Sequence, residues 1–189
     1  MSSEGRLNPH VEDVIHDQFA TAPQLRGPLT TFNRTIARWS MYLVVVGMLL
    51  IVAVVFYQVF GRYVLNSSPT WAENVALVLI LYVTLLAAAV GVRDAGHIGM
   101  ESLLILAPDR VRERIELLIH ALVALFGAAM AYNGTILGMS VMNYRIPNLG
   151  LSEGIRYVPL ALSGVLIVLF SIEHMIALLR GKEVEPSWH

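Results

Sequence analysis

The chain has 189 residues, of which 56% are hydrophobic and 14% charged, and its mean hydropathy is +0.64. Soluble domains carry about 25% charged residues, so this composition excludes an ordinary soluble domain, and a net charge of −1 excludes a polyanion-binding protein. With no cysteine, disulfide frameworks, thiolate metal sites and cysteine nucleophiles are excluded as well.

Residues 1–33 carry mixed charge and are broken by Pro9, Pro23 and Pro28. They read as a mobile N-terminal tail. Met1 to Gly27 lacks the short apolar core of a signal peptide. The membrane domain is expected over residues 34–182, with a short tail at 183–189. Its first span runs from about 39 to 60, with Trp39 and Tyr42 where an aromatic belt would fall. Asn66-Ser-Ser-Pro69 marks a turn. Pro69 suits the start of a helix, and Thr70-Trp-Ala-Glu73 fits a capping box. The second span covers about 71–92. From Val75 to Val92 there is no charged residue, while Arg62 and Glu73 lie at one end and Arg93, Asp94 and His97 at the other.

Gly99 to Ala107 is too short to cross a core of ~30 Å and reads as a short interfacial helix. The third span covers about 115–142, and the fourth about 157–179. The expectation is therefore an all-α integral membrane protein with four transmembrane helices. Arg6, Arg26, Arg34, Arg38, Arg93, Arg110, Arg112, Arg114, Arg180 and Lys182 fall on one side of this topology. Arg62, Arg145 and Arg156 fall on the other. The asymmetry predicts cytoplasmic termini.

Three groups of residues invite a functional reading. Glu116, His120, Gly127, Ala131, Gly134 and Gly138 project onto one stripe of the third helix, and Gly134 to Gly138 is a GxxxG element. Such a stripe admits a helix at close range, inside the bundle or on a partner. Glu116 and His120 match Glu173 and His174 in depth. Carboxylates and histidines on neighbouring helices serve a metal site, a proton relay or bis-histidine haem ligation. The bland alternative is mutual pairing, or pairing with headgroups or arginines. No Glu-x-x-His repeat supports a di-metal site, and no metal is expected. Arg62 and Glu73 are placed to pair across the turn, as a weak salt bridge or a partner contact. His97 reads as an ordinary interfacial histidine or a pH sensor. No phosphate loop, nucleophile–base spacing or nucleic-acid stripe appears, so no catalytic residue is assigned.

Phe60-Gly-Arg62-Tyr63, then Pro69-Thr-Trp71-Ala-Glu73, then Arg93-Asp-Ala-Gly-His97-Ile98 together resemble the small permease subunit of tripartite ATP-independent periplasmic (TRAP) transporters. The resemblance is strongest over residues 56–108. Two positions depart from it: Asn74 stands where a second acid is usual, and Ala87 where a glycine is common. A non-catalytic scaffold without cofactor is implied, beside a large elevator-type membrane subunit that handles organic acids delivered by a periplasmic binding protein. Arg62, Trp71 and Glu73 would then fix the outer hairpin, and Arg93 and His97 would anchor on membrane lipid headgroups. Two other classes compete with it: a redox anchor holding haem between His120 and His174, and a stand-alone small carrier.

Overall fold

The computed structural model describes residues 27–67, 69–94 and 109–180. His97, the stretch read as an interfacial helix and both terminal tails lie outside these residues. Helix α1 spans Pro28–Tyr63, α2 Thr70–Asp94, α3 Asp109–Ser140 and α4 Val158–Leu179, with a 3₁₀ turn at Glu153–Arg156 before α4. Each is a long apolar segment, and four helices are long and apolar enough to cross a membrane. The protein is a four-span helical membrane protein.

The helices form a slab rather than a closed bundle. Helix α1 packs along α2, α2 along α4, and α4 along α3, while α1 reaches α4 only at one end. Helix α4 therefore sits inside and buries Ser163, Gly164, Ile167, Phe170, Ser171, Glu173, His174 and Ala177. Helices α1 and α3 are edges. Trp39, Tyr42, Leu49, Phe56, Leu125 and Phe126 are all exposed, as expected where hydrocarbon rather than water is the solvent.

Helix α1 begins at Pro28, well before the expected membrane entry near residue 39. Proline at the first turn costs no hydrogen bond, and Thr31 Oγ1 donates back to the Gly27 carbonyl at 3.2 Å. Thr30, Asn33, Ala37 and Ser40 are buried along one stripe. Their short side chains let this end of α1 lie on α4. At ~1.5 Å per residue the helix is ~54 Å long, longer than the bilayer core.

The glycine stripe of α3 is used inside the molecule. A Cβ on Gly127 would lie 2.8 Å from Ile167 Cγ2, and one on Gly134 would lie 2.9 Å from the Ala161 nitrogen. The facing Gly164 is as tight, since its Cβ would sit 2.5 Å from the Ala131 nitrogen. The backbones of α3 and α4 thus touch along Gly127, Ala131, Gly134 and Gly164. The seam that the sequence left open between bundle and partner closes on α4.

The turns differ in one respect from expectation. Thr70 is already helical and the Ala72 N–H bonds the Pro69 carbonyl at 3.1 Å. Thr70 is therefore one residue too far in to act as an N-cap, and no capping box closes with Glu73 among the described residues.

Gly164→Ala is expected to lower the thermal unfolding midpoint of the detergent-solubilised protein, by about 1–3 kcal/mol of overpacking. Gly91→Ala, whose Cβ would meet nothing within 4 Å, leaves the midpoint unchanged or slightly raises it. Differential scanning fluorimetry on the two variants makes the comparison.

Candidate functional site

The polar residues of the spans gather at the end where α2 and α4 terminate. Glu173 lies six residues before the end of α4, about 9 Å by helical rise, and Arg93 is the penultimate residue of α2. As the second and fourth spans, α2 and α4 run parallel, so their C-terminal ends lie at one depth. Arg93 Nε donates to Glu173 Oε2 at 3.3 Å and Nη2 to Oε1 at 3.4 Å, a bidentate fork. Nη1 turns to Asp94 Oδ1 at 3.2 Å, and the guanidinium carbon lies 6.0 Å from the Phe170 ring centroid. The side chains of Arg93 and Glu173 are 0% exposed.

Helix α1 joins through Asn33, itself fully buried. Its Nδ2 donates to Glu173 Oε2 at 2.9 Å and lies 3.4 Å from the Leu169 carbonyl. Glu173 thus holds α1 and α2 to α4 at once. The C-terminus of α2 is also capped. The Arg93 carbonyl, orphaned at the helix end, accepts from His174 Nε2 at 2.9 Å. A carbonyl only accepts, so this nitrogen carries the proton. The His174 ring stacks on His120 of α3, centroids 4.7 Å apart and planes 3° from parallel. All four helices therefore meet at one cluster.

This geometry sorts the sequence-based expectations. Glu173, His174 and His120 are paired groups, as in the bland alternative: Glu173 pairs with the Arg93 side chain, His174 bonds the Arg93 carbonyl, and His120 stacks on His174. Arg93 is not a headgroup anchor: at 1% exposure it spends its donors on Glu173 and Asp94. Direct ring contact between His120 and His174 fills the space a haem macrocycle would need, so the pair does not fit bis-histidine ligation. Among the described residues no group of three His, Asp or Glu side chains converges as a metal site. Glu116 stays at the half-buried start of this seam. Asn33 escaped the sequence reading, and Asp94 was read only as a charge flanking the second span. The small polar stripe Thr30, Asn33, Ala37, Ser40 was the available signal for Asn33.

At the opposite end of the slab, where both hairpins turn, Arg62 and Glu73 are exposed and form no ion pair among the described residues. The α1–α2 hairpin is held instead by the Tyr57 and Trp71 rings, 6.0 Å apart, and by the Ser67 N–H on the Gly61 carbonyl at 3.0 Å. Asn74 does the bridging. Its Oδ1 accepts from Arg156 Nη2 at 3.1 Å and its Nδ2 donates to the Pro147 carbonyl at 3.1 Å. Arg156 also pairs with Glu153 at 3.2 Å, and Tyr82 donates to the Ile155 carbonyl at 3.0 Å. A neutral amide is required here: it presents an acceptor to Arg156 and a donor to the carbonyl, which a carboxylate cannot do.

Between the two ends the spans are bare of charge. No Asp, Glu, Lys or Arg occurs at 39–61, 75–92, 117–142 or 157–172. Among the described residues, a buried ionic cluster at one end of the slab and spans without Asp, Glu, Lys or Arg in between are the layout of a multi-pass helical membrane protein. Residues 51–181 match the DctQ component of the tripartite ATP-independent periplasmic transporters. The chain belongs to that family and is a TRAP small membrane subunit of the inner membrane. It is similar to the sialic acid TRAP transporter small permease protein SiaQ of Vibrio cholerae serotype O1, 23% identical over 130 residues covering 69% of this chain and 75% of that protein.

Removing one partner of a buried pair strands the other charge. Arg93→Met is expected to destabilise the protein by about 3–5 kcal/mol. The Arg93→Met/Glu173→Leu double variant recovers most of that loss, read as thermal midpoint and as monodispersity on size exclusion. A double variant no better than the single one would contradict the assignment.

Proposed function

We propose that this subunit is a non-catalytic scaffold that braces the large elevator-type membrane subunit of a TRAP transporter for organic acids. The observation that carries the reading is that, among the described residues, the buried charged side chains Arg93, Asp94 and Glu173 are committed to neighbours at one end of the slab. The middle of the four spans carries no Asp, Glu, Lys or Arg, which supports a role without a coupling-ion site of its own. A rigid plate is what remains. The bracket of Arg93, Glu173 and Asn33, the stacked histidines and the glycine seam leave little freedom between helices, and a moving transport domain needs a fixed reference.

The broad apolar faces of α1 and α2 are the surfaces available to the large subunit, since the α3 stripe is occupied by α4. Both termini face the cytoplasm, which places the Asn74–Arg156 end on the periplasmic side. Exposed Arg62, Trp71 and Glu73 are there as contacts for the assembled complex and for the periplasmic binding protein. A carboxylate-bearing solute fits the family, and the sialic acid named for the Vibrio cholerae relative is one such molecule. No enzymatic step, cofactor or nucleic-acid partner belongs to this role.

Co-expression of a tagged chain with the large membrane subunit encoded beside it is expected to yield both proteins at a fixed ratio. In proteoliposomes the complex with its binding protein takes up the solute, and the small chain alone does not. Uptake by the isolated chain would refute the scaffold reading.

A further inference from the structure

An open groove of about 540 Å³ lies between α3 and α4 at the hairpin end, lined among others by Gly134, Gly138, Met139, Met142, Leu162 and Val165. Its volume is that of a ligand pocket, about 300–1,000 Å³. Small residues create it: Gly138 and Gly154 come close at the helix crossing, and the missing side chains leave a furrow beside the seam. Deeper along the helices the backbones of Ala131 and Gly164 are in contact.

The length of the furrow speaks for its occupant. It follows α3 from Gly134 to Met139 and α4 from Val158 to Val165, about 8 Å and about 11 Å of helical rise. Each is less than half of the ~30 Å hydrocarbon core, so the groove is confined to one leaflet. A partner helix would need a track along the whole span, whereas an acyl chain needs one leaflet. The mouth has matching chemistry. Arg145 and Ser152 pair across a two-residue antiparallel bridge. The flanking bonds, Ile146 N–H to Leu151 carbonyl and Glu153 N–H to Tyr144 carbonyl, are both 2.8 Å. The pair is thus of the non-hydrogen-bonded kind, whose side chains share one face. Ser152 lines the groove, and its hydroxyl donates to the Met142 carbonyl at 2.6 Å. Exposed Arg145 therefore rises beside the mouth. Its Nη1 donates to the Gly150 carbonyl at 2.9 Å, and its other N–H donors have no partner among the described residues. The neighbouring Glu153 carboxylate is neutralised by Arg156, so the rim carries a net positive charge.

We infer that the α3–α4 groove is a phospholipid site, with one acyl chain seated between the helices and the headgroup phosphate on Arg145. The site is independent of the scaffold role, since it uses neither the bracket nor the α1–α2 face. It lies in the leaflet next to the hairpin turns.

Native mass spectrometry of the full chain in detergent tests this with three probes of identical acyl chains: phosphatidylglycerol, phosphatidylcholine and diacylglycerol. One phospholipid per chain is expected to survive activation, phosphatidylglycerol most strongly. Leu162→Trp and Met139→Trp add bulk at exposed lining positions, 50% and 62% accessible, and are expected to remove that adduct with the thermal midpoint unchanged. Arg145→Gln is expected to weaken phosphatidylglycerol retention by roughly fivefold, the size of one charge-assisted contact at a wet interface, and to leave diacylglycerol unaffected. Equal adducts in the wild-type and tryptophan proteins would overturn the site. So would a groove that holds no lipid in the isolated chain, yet is shielded from thiol labelling at Met139→Cys once the large subunit binds; that result would give the furrow to a partner helix.

Discussion

The slab depends on one carboxylate. Glu173 sits on the central helix, without solvent contact, and takes a bidentate arginine from α2 and an amide from α1. A buried carboxylate without partners costs several kcal/mol, and in this surrounding no water replaces a lost donor. The pairing therefore acts as a filter on geometry more than as a source of stability. An arrangement of helices that fails to bring Arg93 and Asn33 to Glu173 pays the whole desolvation penalty. Apolar packing alone does not discriminate in this way, because lipid and leucine are equivalent neighbours for an apolar face.

The two ends of the slab solve different problems. At the Arg93 end, charges leave water and are satisfied by each other and by helix termini. At the hairpin end, Asn74, Arg156, Pro147 and Ile155 tie α2 to the α3–α4 connection with partly exposed hydrogen bonds. Between them the fold relies on close backbone approach at Gly127, Ala131, Gly134 and Gly164. Packing of this kind resists an added methyl group, so the middle of the slab is as demanding as its ends although it rests on backbone approach rather than on charge.

Hydropathy made the four helices legible, since the apolar runs and their charged flanks are local features. The glycine stripe was legible as a seam, but its partner was not. Gly127 and Gly134 face α4 because Gly164 and Ala161 fall at matching heights, and that register depends on the turn around Asn148 and Gly150. The ionic cluster was half legible. Glu173, His174 and His120 stand out as ionisable residues in apolar surroundings. Arg93, at the end of a span, looked like an interfacial residue because sequence gives depth along a helix but not direction around the slab. Asn33 was hidden by the early start of α1, whose polar first turns carry no hydropathy signal. Arg62 and Glu73 are near in sequence, yet the hairpin aims both outward, and Trp71 on Tyr57 holds the turn instead.

The location of Glu173 on the last helix has a consequence for biosynthesis. A translating ribosome delivers Asn33 and Arg93 to the membrane before Glu173 is made. The acid thus enters a bilayer in which its counter-charge already waits, and insertion of α4 is coupled to docking rather than preceding it. Had the arginine and the acid exchanged places, the carboxylate would spend the synthesis of two further spans without its ion-pair partner.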